Sequence, residues 1–515
     1  MDVKGLRQKV EEFFCSAVET AASQSDLSDL LVSLNQSRSM IAQPMRVAFI
    51  GGVNNGKSTL MNAFLGESLA ATGNRELTYN VSWFRYGERK QLLVHNMEGG
   101  IEEETFETLT DLTTRCEENR DLLDRIRYVE VRYPAKLLKE FDLIDTPGLY
   151  SAMKKDSENT KRFLLDRDTR PHAVVFLFSD TLKARDIAEL EDFHKLNGSP
   201  ITGITAIGAL TKVDNLDAGL ETAERVIDQI RKDHSWTLRS FYTIMPVMGQ
   251  TGFGAQTLSL EDEETLKALS SLPSVRTNKL LLDAKSFSSK EYSDEPEIPC
   301  AASRLLLFER LGTHGIRHAL KHLRDGQSLD EIRSSLLTGS NVDELRHLVV
   351  SHFGNRAFLI KSHSALDAIR EQAFYLGERL RGSAQTAVYS IVNAVDRINV
   401  EESRFREFGV LNKYYSGTLD LDESDLGQLV NVTGEMGMSC RRRLGVNDDT
   451  PLQELIALAA RREAEWHSRS TEYWSSEETK EMARVLSQSY GEIHGRLLEA
   501  EGHMRAAAAL IAYEL

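Results

Sequence analysis

The chain has 515 residues, 41% of them hydrophobic and 27% charged, with a formal net charge of −16. That length predicts two or more domains. The acidic balance argues against nucleic-acid binding, which needs a cationic footprint, and against attraction of the whole surface to an anionic membrane, though not against a local basic patch. Cys15, Cys116, Cys300 and Cys440 stand singly, as expected of a reduced cytosolic protein, and no apolar run approaches the roughly eighteen residues of a membrane span.

The acidic, amphipathic start MDVKGLRQKVEEFF predicts no signal peptide. Leu6, Val10, Phe13, Phe14, Ala17 and Val18 recur at helical spacing and predict a helix over 3–22, with a second over 26–42. The period then changes. MRVAFI (45–50), VSWFRYG, RYVEVRY (127–133), FDLID (141–145), AVVFLF (173–178), ITAIGAL (204–210) and FYTIMPV (241–247) read as strands, mostly separated by helical or polar segments. Such alternation predicts an α/β sheet with crossover helices.

The polar stretch KSFSSKEYSDEPEIPC (285–300) reads as a loop and boundary, and beyond about residue 303 strand patterns stop. Leu359, Leu366, Ile369, Ala373, Leu376 and Leu380 form one narrow apolar seam, and Ile493, Leu497, Ala500, Met504, Ala507 and Ile511 form another. Both predict long helices of a stalk or bundle. The expected organisation is N-terminal helices over 1–43 packing with C-terminal helices, a mostly parallel α/β nucleotide domain over 44–300, and an all-α region over 301–515.

Gly51-x4-Gly56-Lys57-Ser58 is a full P-loop match, placed between a predicted strand and a predicted helix. Gly51, Gly52 and Gly56 let the backbone curl so that N–H groups face a phosphate, aided by the helix N-terminus. Asn55, whose side chain is read as turn structure, and Thr59 complete the cradle. Lys57 suits β- and γ-phosphate oxygens, and Ser58 suits Mg²⁺. Asp145-Thr-Pro-Gly148 closes the strand FDLID, so Asp145 is placed to hold Mg²⁺ through water and the Gly148 N–H to reach the γ-phosphate. Thr211-Lys212-Val213-Asp214 closes ITAIGAL. A carboxylate there accepts from both N1–H and the exocyclic amine of guanine; adenine lacks that pair of donors. Lys212 would lie over the base. Three motifs in this order, each at a strand's C-terminal end, predict a GTP and GDP site.

Thr72 and Thr78 are candidates for the switch threonine that adds a metal ligand, and Thr78 is preferred because it precedes VSWFRYG. Gly249, in Val247-Met248-Gly249, stands where a backbone N–H would meet guanine O6. Leu149 occupies the place of the water-orienting glutamine of Ras-like enzymes. Either hydrolysis is slow, or another group acts. Asn54 has two readings: a ligand to a monovalent cation, K⁺ or Na⁺, beside the phosphates, or a residue that shapes the turn.

GGVNNGKSTLMNAFLGESLAATGNRELT, DTPGLYSAMKKDSENTKRFL and LTKVD together resemble the GTPase domain of bacterial dynamin-like proteins. PMRVAFIGG, VSWFRYG, FERLGTHGIRHAL (308–320) and RRRLGV (441–446) resemble the isoniazid-inducible actinobacterial branch, its smaller members in particular. The resemblance implies a GTPase head, a helical neck from both chain ends, and a helical trunk whose tip touches lipid. It implies a cytoplasmic protein, peripheral to the inner face of the cell membrane, that hydrolyses GTP to drive membrane remodelling or protection. Its G domain would pair with itself or a second dynamin-like protein. Lys57, Ser58, Thr78, Asp145, Gly148, Lys212 and Asp214 match the family's site positions, while Gly51-Gly52-Val53-Asn54 stands where eukaryotic dynamins have Gly-Gly-Gln-Ser and so lacks the Gln. The alternatives are a GTP-binding scaffold with negligible hydrolysis, and a ribosome-assembly GTPase, against which the acidic charge argues.

Residues near 408–445 are the expected lipid-contacting tip, with Arg441, Arg442 and Arg443 as the basic run and Leu411, Tyr414 and Tyr415 as interfacial candidates. His314, His318 and His322 share a helix face, read as polar surface rather than a zinc site.

Overall fold

A computed structural model describes residues 3–70, 79–114, 119–147, 163, 166, 169–179, 182, 186, 203–215, 220–233, 237–415, 417–434 and 437–514. The chain divides into two compact units, Arg46–Val349 and Met1–Met45 with Val350–Leu515. It opens on α1 (Val3–Ala22) and α2 (Ser28–Ala42), both in the second of these units.

The unit Arg46–Val349 is built on nine strands: β1 (Met45–Gly51), β2 (Ser82–Tyr86), β3 (Gln91–Asn96), β4 (Ile101–Glu104), β5 (Ile126–Tyr133), β6 (Phe141–Asp145), β7 (Ala173–Ser179), β8 (Ala206–Thr211) and β9 (Thr243–Pro246). Their order across the sheet is β4-β3-β5-β2-β6-β1-β7-β8-β9. β1, β7, β8 and β9 pair in parallel, as do β2 and β5; β2 with β6, β3 with β5, and β3 with β4 are antiparallel. Every residue of β1, β6 and β8 is buried, which is why these strands read as unbroken apolar runs rather than alternating ones. The β3–β4 hairpin escapes the sequence pattern. β4 is IEEE, wholly exposed, and its row of carboxylates blunts an open sheet edge.

One polar cluster interrupts the sheet. Glu130 on β5 is buried and meets Arg132 Nε at 2.8 Å, His95 Nε2 at 3.0 Å and Arg85 Nη1 at 3.5 Å. The His95 ring stacks on Tyr128, centroids 4.2 Å apart. Burial alone would raise the Glu130 carboxyl, but hydrogen bonds from His95 and Arg132 and the charge of Arg85 hold it down at about 2.

Seven helices of this unit bear on the site: α3 (Lys57–Leu65), α4 (Leu220–Asp233), α5 (Gly249–Thr257), α6 (Leu260–Ser271), α7 (Ala301–Arg324), α8 (Leu329–Gly339) and α9 (Val342–Leu348). Ser259 with Asp262 and Ser328 with Glu331 form capping boxes that start α6 and α8. Residues 301–349, expected to open the helical region, group instead with the nucleotide unit. The reason is packing. Leu307, Leu311, Ile316 and Ala319 of α7 share a core with Ala255, Leu266 and Leu269 of α5 and α6. At Gly254 a Cβ would stand 2.2 Å from the Arg310 carbonyl oxygen, so α5 and α7 touch backbone to backbone. Arg310 then pairs with buried Asp262 at 2.7 Å.

The other unit packs α1 and α2 against α10 (Asn355–Arg379) and α11 (Gly382–Glu401), burying Leu6, Val10, Phe14, Leu366, Ile369 and Ile391 in one core. It continues through α12 (Ser403–Tyr415), α13 (Glu423–Val432), α14 (Leu452–Ser470) and α15 (Glu477–Glu514). The α15 seam is buried at Ile493 and Leu497 but exposed at Met504. No helix among the described residues is long and apolar enough to cross a membrane.

The aromatic and basic candidates in 408–445 are spent inside this unit. Leu411, Tyr414 and Tyr415 are buried. Arg443 is buried against Glu407, Arg442 pairs with Asp448 at 2.7 Å, and Arg441 donates to the Thr450 carbonyl. A basic run looks like surface in a sequence, but here Glu407, which also accepts from Arg404 and Ser489, draws Arg443 inward.

Candidate nucleotide site

The site forms where β1, β6 and β8 end. β1 terminates at Gly51, with φ +150, and a Cβ there would stand 2.2 Å from the Leu177 carbonyl oxygen of β7, so only glycine fits. The next turn is closed by the Asn55 N–H donating to the Gly52 carbonyl at 3.3 Å, with Asn54 at φ 63 in its third position. A positive φ at that place favours glycine or asparagine. Gly56, at φ 79, starts α3. Gly66, at φ 76, stops it, its N–H returning to the Asn62 carbonyl.

The two asparagines have separate tasks. Asn55 is buried and staples the loop to β7: its Nδ2 donates to the Leu177 carbonyl at 3.0 Å, and its Oδ1 accepts from Ser179 at 3.4 Å. Its carbonyl accepts from the Thr211 hydroxyl at 2.9 Å. The Thr211 hydroxyl therefore serves the protein's own backbone, and the Asn55 side chain holds the turn that it is expected to shape. The Asn54 side chain is exposed and makes no hydrogen bond among the described residues.

Lys57 is buried, and its Nζ donates to the carbonyls of Gly51 and Gly52, each at 2.9 Å. The Ser58 hydroxyl donates to Asp145 Oδ2 at 2.8 Å. Asp145 Oδ1 is buried with no hydrogen-bond partner among the described residues. Burial pushes the Asp145 carboxyl up to about 6, against the pull of the Lys57 charge and the Ser58 hydroxyl. A buried carboxylate with one oxygen unused, beside a hydroxyl and an ammonium, fits a hard divalent cation with phosphate. Thr59 sits half-buried in the first turn of α3. Thr72, Thr78, Gly148 and Leu149 lie outside the described residues.

Lys212 (φ 57, exposed) and half-buried Asp214 follow β8. Burial pushes the Asp214 carboxyl up, opposed by its own backbone N–H and by the charges of His314 and Lys212. Gly249 begins α5, in contact with Leu60 of α3. The Met248 N–H donates to the Ser340 carbonyl at 2.8 Å, and Asn341 Nδ2 to the Pro246 carbonyl at 3.1 Å, so the turn between α8 and α9 supports this edge. Gln250, next in the chain, donates to the carbonyls of Phe308 and Glu309 at 3.1 and 3.0 Å. A continuous helix would fill those carbonyls from residues 312 and 313, but α7 breaks at Gly312 (φ 61).

Sequence reasoning missed three further contributors. Asn62 is fully buried; its Oδ1 accepts from the N–H groups of Leu69 and Ala70 at 2.9 and 2.6 Å, and its Nδ2 donates to the Ala70 carbonyl at 2.8 Å. It pins the segment leading into 71–78. The NAFLG text after the P-loop carried that signal. Thr146 donates to the Phe49 carbonyl at 2.8 Å, locking β6 to β1. His314 of α7 acts electrostatically on Asp214, although its helix-face partners do not join it in a metal site. His318 Nε2 instead lies 2.9 Å from the Ser335 hydroxyl, and burial, with the charges of His322, His314 and Lys321, lowers it to about 4. No cluster of three metal-ligating side chains occurs among the described residues.

A family model described as the Dynamin family matches residues 47–207. The isoniazid-induced protein IniC of Mycobacterium tuberculosis is 27% identical over 427 residues, covering 81% of this chain and 84% of that protein. Dynamin-like protein 2 of Campylobacter jejuni is 26% identical over 222 residues, covering 42% of this chain and 32% of that one. A solved oligomerised bacterial dynamin pair aligns over 100% of this chain and 76% of its own at 14% identity, with a TM-score of 0.33, too loose a likeness to carry an argument.

Proposed function

We propose, from the premise that this is a bacterial dynamin-like chain with a dynamin-family domain over 47–207, that it binds GTP, hydrolyses it and couples that cycle to a membrane surface. The observation that carries the nucleotide reading is the Ser58–Asp145 pair with its unused, buried Oδ1. Ser58, Asp145 and, from the switch, Thr78 would hold Mg²⁺, which when bound neutralises charge on the β- and γ-phosphate oxygens. Lys57 exchanges its two carbonyl partners for phosphate oxygens. N–H groups of the 51–59 loop and of Gly148 cradle the phosphates.

Asp214 selects guanine by accepting from N1–H and the 2-amino group; its buried setting makes an unpaired wrong base costly. Lys212 covers the base, and the N–H of Gly249 meets O6. Asn54 offers its side-chain oxygen to a monovalent cation, K⁺ or Na⁺, because Asn55 already fastens the loop. Such an ion supplies charge that an arginine finger gives other GTPases. On this reading the protein works at the inner face of the cell membrane and associates through its nucleotide domain with itself or a second dynamin-like protein. The test is Lys57→Ala: phosphate release from GTP should vanish and nucleotide affinity should fall. Unchanged turnover would remove the hydrolysis reading, and tight GTP binding with no turnover in the parent protein would leave a scaffold.

A further inference from the structure

Tyr473 and Trp474 are 83% and 93% exposed, the highest values for large hydrophobic side chains among the described residues. They sit in the six-residue connection TEYWSS between α14 and α15, ring centroids 5.1 Å apart and interplanar angle 88°, each ring packed mainly on the other. Such exposure withholds two large aromatic surfaces from any core.

The charge around them is one-sided. Lys413 pairs with Glu481, Arg469 with Asp425, and Lys480 with Glu477, and exposed Arg484, one turn further along α15, makes no ion pair among the described residues. Glu423, Glu472 and Glu478 are left in excess of cations, and all three are exposed. An anionic surface would be repelled here. The connection offers no aliphatic side chain to fill a protein pocket: beside the two rings it has only Thr471, Glu472, Ser475 and Ser476. Indole and phenol each join an apolar body to a polar edge, the chemistry of the membrane–water interface. Aromatic faces beside carboxylates also complement an ammonium group.

We propose that the Tyr473–Trp474 connection is where this protein meets a bilayer, and that it favours zwitterionic headgroups that present an ammonium over purely anionic ones. This rests on the membrane reading above and gives it a site and a lipid chemistry. The rings enter the headgroup layer while Glu472 and Glu478 face the ammonium groups.

The experiment is flotation of the full-length protein, with GTP and with GDP, on vesicles of phosphatidylcholine with phosphatidylethanolamine and on vesicles of phosphatidylglycerol. Brominated lipids report contact by quenching tryptophan fluorescence. The zwitterionic vesicles should bind at least as well as the anionic ones, and raised salt should not release them. Trp474→Ala should weaken binding about tenfold or more, the scale of withdrawing one large aromatic side chain, and should remove most of the quenching. Tyr473→Ala should act in the same direction, and nucleotide affinity should stay unchanged in both. No flotation on any vesicle would sink the membrane reading itself. Flotation that Trp474→Ala leaves intact would keep that reading and overturn this site. Preference for phosphatidylglycerol would overturn the headgroup assignment. A loss of self-association on sedimentation, with flotation unaltered, would hand the tip to a second copy of the chain and overturn the proposal.

Discussion

The Ser58 hydroxyl donates to one oxygen of Asp145 at 2.8 Å while the other, buried oxygen has no partner among the described residues. The pair joins the first turn of α3 to the end of β6, so the two chain segments that would act on one cation under the proposed function are held together.

Asp145→Asn keeps the shape and removes the charge. GTP turnover should fall by at least about 100-fold, and the Mg²⁺ concentration giving half-maximal rate should rise. The check is phosphate release titrated with Mg²⁺. An unmoved Mg²⁺ midpoint would take Asp145 out of the metal site.

Asp214→Asn replaces an acceptor with a donor. Affinity for GTP should drop by about two orders of magnitude or more, and xanthosine triphosphate, which carries a carbonyl where guanine has its amine, should gain. Competition against a fluorescent GTP analogue measures both. Equal loss for both nucleotides would mean only a damaged loop.

Asn54→Gly separates the two readings of that residue. Glycine tolerates φ 63 at no cost, so the turn survives while the side-chain oxygen goes. Turnover in K⁺ should exceed turnover in Na⁺ for the parent protein, and the difference should disappear in the variant with its melting temperature unchanged. A cation effect that persists would leave Asn54 as turn geometry alone.

Glu130 governs a pH dependence away from the site. Its folded pKa, about 2, lies below the ordinary value of 4.5, so the ionised form stabilises the fold. That contribution is complete above the ordinary value and is lost as pH falls toward 2; its ceiling is about 3 kcal/mol. Glu130→Gln should be less stable at neutral pH and lose less on acidification, measured by urea midpoints between pH 7 and pH 3. Parallel curves for the two proteins would contradict it.

Legibility in the sequence followed locality. The P-loop, β6 and β8 announce themselves because motif and strand lie within a few residues and the strands are buried on both faces. The motifs that carry Asp145 and Asp214 are legible for that reason. The boundary at 349 was not, because helical periodicity says that a face is buried and not against what; α7 buries its face on α5 and α6. Arg441–Arg443 misled for the opposite reason: three adjacent cations imply solvent until a buried Glu407 is found for one of them. Thr211 lies at the right place but spends its hydroxyl on the loop itself, which spacing cannot tell from spending it on a nucleotide.

The break at Gly312 has a geometric consequence. A straight helix of α7's 24 residues would run about 36 Å in a single direction. The residues before the break lie against Gly254, and those after it carry His314 to the neighbourhood of Asp214. One rod cannot satisfy both addresses. Any side chain at 312 is strained at φ 61, and a helix relaxed from that strain must abandon one address for the other. The alignment of the Asp214 edge with the helical core beneath it therefore hangs on a position that contributes no side chain at all.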